Sequence, residues 1–188
     1  MSDINCLMKT ESLDLLKTIK GKTMVGYLAP FEDRKENILS SFALLFADGS
    51  SIVIHTDYAA AKMFGEEETI SQLECTDGNL VNYEKYYKFR TRDITINNIE
   101  IVTDLISRIC SSEATDKYRI VIDSGIILEG VEGNFTIALN SDYSDDDWIC
   151  VSASSSIDEL RPLENVKDSW GNGEDGVVVT AHRVSRSI

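Results

Sequence analysis

The dipeptide Asp48-Gly49 stands between two apolar runs, 38–47 and 50–56. Aspartate followed by glycine accepts the positive backbone φ of a tight reversal. The flanking aromatic and β-branched residues favour extended chain. A chain with this hairpin is constrained toward an antiparallel sheet, and the same grammar recurs along it. Residues 23–29 close at Pro30, 118–123 and 126–131 flank Ser124-Gly125, and 134–140 follow a Glu-Gly-Asn turn. Runs 148–153 and 177–184 complete the series, with a polar connector at 152–156, a breaker at Pro162 and a glycine-rich loop at 171–176. Helical signals are fewer. Ser12 suits an N-cap, Leu13, Leu15, Leu16 and Ile19 form an apolar stripe, and Gly21 sits where that helix would stop. Residues 58–64 read as a short helix ended by Gly65, and Val102, Leu105, Ile106 and Ile109 fit a helical face. Residues 80–89 fit helix or strand.

These patterns predict an α+β fold: mainly antiparallel β-sheet with one to three helices packed on it, as a single domain over 1–188. The likeness of residues 42–49 to 118–125, an aromatic, apolar residues and a polar-Gly pair, leaves open two similar β-rich halves, 1–90 and 91–188.

Charge decides what such a domain meets. The chain carries 18 Lys plus Arg against 32 Asp plus Glu, a net charge of -14. With 43% hydrophobic residues it has the apolar material to fold, so the acid belongs on a folded surface. Such a surface captures cationic partners and repels nucleic acid and anionic membrane, both polyanions. Cys6, Cys75, Cys110 and Cys150 lie far apart rather than in zinc-type pairs and read as free thiols. The first residues lack a signal peptide's basic head and apolar core, and no stretch approaches a membrane span, so a cytoplasmic location is expected.

The acid is clumped, and the clumps are the candidate site. One is Asp142, Tyr143, Asp145, Asp146 and Asp147; the other is Glu66, Glu67 and Glu68. Both are read as a contact surface for Lys and Arg of a basic protein, with Tyr143 as an aromatic anchor and Trp148 either a second anchor or, in its alternating strand, a core residue. The 142–147 run does not place the glycine and terminal glutamate of an EF-hand loop, and 171–176 lacks the Lys-Ser/Thr of a P-loop. No catalytic, cofactor-binding or metal-ligating residue is assigned, and no cofactor is expected. His55 and Asp57 lie two apart, half of a general-base arrangement, with no nucleophile motif beside them.

In composition and layout the chain resembles the immunity proteins of bacterial polymorphic-toxin and contact-dependent inhibition systems. The residues concerned are the segment 118–128 with Asp123-Ser-Gly-Ile-Ile, the acidic loop after it and the strand beginning at Trp148. The resemblance covers roughly a third of the chain, through layout rather than through a motif. It implies a cognate toxin, often a basic nuclease, covered by carboxylates. Two alternatives stand beside it: a metal-dependent hydrolase or ligand-binding domain built from dispersed groups (His55, Asp57, Asp123 and the 142–147 carboxylates), and an acidic secretion chaperone or adaptor. The oligomeric state is left open.

Overall fold

The protein is described here by a computed structural model, covering residues 2–30, 38–39, 41–63, 66–78, 86–111, 117–140 and 149–188. It is an α+β fold of two mostly antiparallel sheets. The smaller sheet contains β2 (Thr23–Pro30), β4 (Ser41–Phe46), β5 (Ser51–Met63), β6 (Glu66–Asp77) and β7 (Tyr86–Thr95), in the order β6-β5-β4-β2-β7. The larger holds β3 (Ile38–Leu39), β8 (Asn98–Cys110), β9 (Lys117–Gly130), β10 (Gly133–Leu139), β11 (Ile149–Ser152) and β12 (Val177–Ser187). Its order is β12-β8-β9-β10-β11-β3, with β1 (Ser2–Cys6) parallel to the first half of β9.

The two sheets share one core. Phe42, Leu44 and Ile54 from the smaller sheet and Ile126, Leu128, Phe135 and Ile137 from the larger are buried in a common cluster. Tyr27 bridges them. Its ring stacks on Phe89 at 4.9 Å, meets Phe42 edge-on at 6.0 Å and lies 5.7 Å from Phe135 of the opposite sheet. Burial pushes its phenol pKa up.

The Asp-Gly hairpin forms between β4 and β5, through a three-residue loop rather than a two-residue one. Phe46 N–H donates to the Ser50 carbonyl, Gly49 N–H donates to the Phe46 carbonyl, and Gly49 takes φ +83°. This is a type I turn closed by a left-handed residue. Asp48 accepts from the hydroxyl (2.6 Å) and N–H (2.9 Å) of Ser50, bonds that with Lys22 lower its pKa to about 2.

Three sequence expectations are corrected. Residues 58–63, read as part of a short helix, continue β5 as strand, paired with β6 without interruption from Ile52 to Met63; residue 64 lies outside the described residues. Their Ala-rich composition is tolerated because the ladder, not intrinsic propensity, holds them. The apparent helical face of Val102, Leu105, Ile106 and Ile109 is also strand, within β8. Both faces of this strand are covered, Val102 packing against Ile157 while its neighbour Ile101 joins the main core, so its apolar residues do not alternate cleanly. Ser124-Gly125 is not a turn: β9 runs through it with a bulge, where Val102 faces Gly125 and Thr103 faces Asp123. The likeness of 42–49 to 118–125 therefore ends at its glycines, one in a hairpin loop and one inside a strand.

Helix α1 (Thr10–Lys17) packs on β6 and buries Leu16. Its cap is Lys9, not Ser12. Ser12 lies inside the helix, 1% exposed, and closes the outer edge of β6. Its hydroxyl accepts from Cys75 N–H at 2.9 Å and donates to the Cys75 carbonyl at 3.2 Å. Ser12→Ala leaves two buried backbone groups without partners. It is expected to cost about 1–3 kcal/mol in urea unfolding and to speed exchange of the Cys75 amide.

Helices α2 (Ile157–Leu160) and α3 (Leu163–Ser169) cover the other face of the larger sheet, after the 152–156 connector and on either side of Pro162, where the sequence reading assigned no element. The signal for α2 was present. Ser156 and Glu159 form a capping box, Ser156 Oγ accepting from Glu159 N–H and Glu159 Oε2 accepting from Ser156 N–H. Ser156→Ala is expected to lower stability by about 1 kcal/mol, read from the denaturant midpoint.

Candidate functional site

Two carboxylates are fully buried in the larger sheet, on opposite faces of it. On the helix-covered face, Asp104 of β8 is 0% exposed and sits directly across from Arg183 of β12. Arg183 Nε donates to Asp104 Oδ1 at 2.7 Å, and Arg161 Nε, at the end of α2, donates to Oδ2 at 2.8 Å. Arg161 also donates to the Leu139 carbonyl, and Arg183 to Asp158 and the Arg161 carbonyl. Burial alone would raise the Asp104 pKa; the hydrogen bonds and charges of Arg183 and Arg161 outweigh it and hold the carboxyl below its usual value.

On the other face the bulge at Ser124 sets Asp123 opposite Thr103. Asp123 Oδ1 accepts from the Thr103 hydroxyl (2.7 Å) and Arg186 (2.8 Å); Oδ2 accepts from Met8 N–H (3.0 Å) and Arg186 (2.6 Å). Asp123 raises the Arg186 pKa in turn. This cluster ties the segment after β1, the centre of β9 and the end of β12 together. Both oxygens already hold two donors each, which leaves no open position for a reacting atom or a metal. Arg183 and Arg186 of β12 thus supply counter-charges to the two buried aspartates.

The His55–Asp57 pair considered from sequence is not made. His55 Nδ1 lies 3.1 Å from the Thr56 carbonyl, while Asp57 binds Lys9 Nζ at 2.8 Å, with Glu74 on the same ammonium at 3.0 Å. Lys9 lowers the Asp57 pKa to about 2. Among the described residues no three His, Cys, Asp or Glu side chains come together as metal ligands. The Cys75 thiol is buried, and burial pushes its pKa up to about 12, far from a reactive thiolate.

Of the acidic clumps, Glu67 and Glu68 lie on β6 opposite Lys62 and Ala61, Glu67 exposed and Glu68 half-buried. This is an edge strand, where carboxylates also discourage sheet-to-sheet pairing. Glu66 belongs to the same strand. Asp142, Tyr143, Asp145, Asp146, Asp147 and Trp148 lie outside the described residues. Trp170, just before the glycine-rich loop, is buried, its carbonyl accepting from Arg108 Nε at 3.0 Å. No helix of the described residues is long and apolar enough to cross a membrane. No known protein family, curated protein or solved structure matches this chain.

Proposed function

We propose that this chain is an acidic binding protein that captures and neutralises a basic protein partner, as an immunity protein does for a toxin. One observation carries the reading: the surplus of carboxylates belongs to the outside. Among the described residues the buried charged side chains, Asp104 and Asp123 against Arg108 and Arg161, cancel, so the buried interior takes up none of the surplus behind the net charge of -14. The described polar groups that chemistry would draw on, Asp104, Asp123 and Asp57, are engaged within the fold. A negative field of this size speeds encounter with a cationic surface and is screened by salt. Glu67 and Glu68, with the 142–147 carboxylates, are the contact residues proposed.

The test is association with the protein encoded by the adjacent gene, followed by surface plasmon resonance at several salt concentrations. The expected result is a tight complex whose association rate falls about tenfold between low and physiological salt. Replacing Glu67 and Glu68 by Gln, or Asp142, Asp145, Asp146 and Asp147 by Asn, slows association several-fold and leaves the melting midpoint near wild type. No complex, or one indifferent to salt, would overturn the reading.

A further inference from the structure

Among the described residues, β5 is flanked by β4 over Ser51, Ile52, Val53, Ile54 and His55, and from Thr56 onward its one ladder is with β6. Among the same residues β1 pairs only with β9. Backbone N–H and C=O direction alternates along a strand, and individual bonds fix its phase. In the β4–β5 hairpin Phe46 N–H donates to the Ser50 carbonyl, so even-numbered residues of β5 aim to the β4 side and odd ones at β6. The same phase turns Cys75, opposite Ile54, outward from β6, which is where Ser12 meets it. Ala60 and Lys62 therefore aim their backbone groups away from β6.

For β1 the phase comes from β8. Ile188 N–H donates to the Ile99 carbonyl, so odd residues of β8 aim at β12 and even ones at β9. Arg119 and Val121, opposite Ser107 and Leu105, thus aim away from β8 toward β1, where Ile4 sits between them opposite Ile120. Asp3 and Asn5 are left aiming outward.

These four residues share one groove of about 520 Å³. Apart from Tyr118, its described lining is two runs of consecutive residues, Asp3, Ile4, Asn5 and Cys6 from β1 and Ala60, Ala61 and Lys62 from β5. A hollow over a sheet face collects alternate residues, as the neighbouring one over Asp3, Asn5, Arg119 and Val121 does. Consecutive residues mark a groove that runs along strand edges.

We infer that this groove is a strand-acceptor site: an extended segment of a protein partner lies between β1 and β5 and hydrogen-bonds to the outward-aimed backbone of both. Unpaired edges are templates for an incoming strand, and here two of them border one opening. Charge selects the segment. Lys62 lies opposite Glu67 on the ladder, which leaves Asp3 as the surplus charge at the groove, so lysine or arginine side chains are favoured on the incoming strand. The sign of that charge rests on the proposed capture of a basic partner; the strand geometry does not.

The full-length protein is titrated with a capped hexapeptide of alternating lysine and valine, and with the same peptide N-methylated on alternate amides in both phases. The expected result is binding of the unmodified peptide with slowed amide exchange at Asp3, Asn5, Ala60 and Lys62, and binding about tenfold weaker on methylation. Asn5→Pro and Ala60→Pro remove outward-aimed N–H groups and no ladder bond; each is expected to weaken binding about tenfold and leave the melting midpoint within a few degrees. Equal binding of the methylated peptides, protection confined to other strands, or no binding at millimolar peptide overturns the inference. Salt-dependent capture of a basic protein that both proline variants retain in full sinks the strand site and leaves the functional reading standing. Peptide binding as expected, without capture of any basic protein, does the reverse.

Discussion

Asp104→Ala is expected to lower the stability of this protein by about 3–5 kcal/mol, the range for removing one partner of a buried ion pair. The carboxylate is 0% exposed, and the guanidiniums of Arg161 and Arg183 that it holds are 3% and 9% exposed as side chains. Without it two positive charges share a site under α2 in which neither the Leu139 and Arg161 carbonyls nor the outer carboxylate of Asp158 replaces the buried carboxylate. The size of the loss comes from charges left behind, not from the worth of the original pairs. The triple change Asp104→Leu, Arg161→Met, Arg183→Leu should therefore recover a large part of it. Urea denaturation of the single and triple variants checks both statements; a single variant within 1 kcal/mol of wild type, roughly the scale of an ordinary surface change, would refute the account.

The same carboxylate sets an acid limb. Its pKa in the folded protein lies below the ordinary 3.8, so on acidification the unfolded chain takes up the proton first. The stabilisation is complete above about pH 5 and is lost as pH falls below about 4, through the folded value. Asp57, held at about 2 by Lys9, adds in the same direction, reduced by its contact with solvent. Denaturant midpoints measured from pH 6 to pH 2 should fall toward acid, and the fall should be shallower in Asp104→Asn.

Gly26→Ala is the second large loss expected, about 3 kcal/mol, as strain and overpacking combine at one backbone position. Gly26 follows an irregularity in β2, at φ +154°, and a Cβ there would lie 2.2 Å from the Phe89 carbonyl oxygen and 3.3 Å from the Arg90 Cα. The obstacle is main chain of the adjacent strand, which moves only if the β2–β7 pairing opens. That pairing also places Tyr27 on Phe89, so the damage reaches the bridge between the sheets. Gly49→Ala separates clash from conformational strain. Gly49 has φ +83° with no atom within 4 Å of a built Cβ, and it should cost only about 1–2 kcal/mol. Equal losses at the two positions would show that the close approach to Phe89 is not what requires glycine.

The charge organisation and the proposed role are linked through these interior clusters. Arg161, Arg183 and Arg186 join elements distant in the chain and are consumed in doing so. Since the buried charges balance, what faces a partner keeps the surplus of carboxylates. The site residues legible in sequence were legible as charge: Glu67 and Glu68 stand out in any reading of the chain. Their position on an edge strand near the β1–β5 groove was not legible, because it depends on which strand lacks a neighbour.

Local chemistry alone determined the α+β class and the Asp48-Gly49 reversal, since a turn depends on residues within a few positions of one another; α1 ends at Lys17, short of the Gly21 that the sequence offered as its stop. Local chemistry also contained the Ser156–Glu159 box, a signal that the polar stretch around it concealed. Tertiary structure alone decided that β8 and β9 are continuous. Both faces of their sheet are covered, which erases the alternation by which a half-exposed strand is recognised. It alone paired Asp104 with Arg183, 79 positions away, and Asp123 with Arg186, 63 away. Burial gives such charges their energy, and burial is a property of how the layers close over them rather than of any stretch of chain.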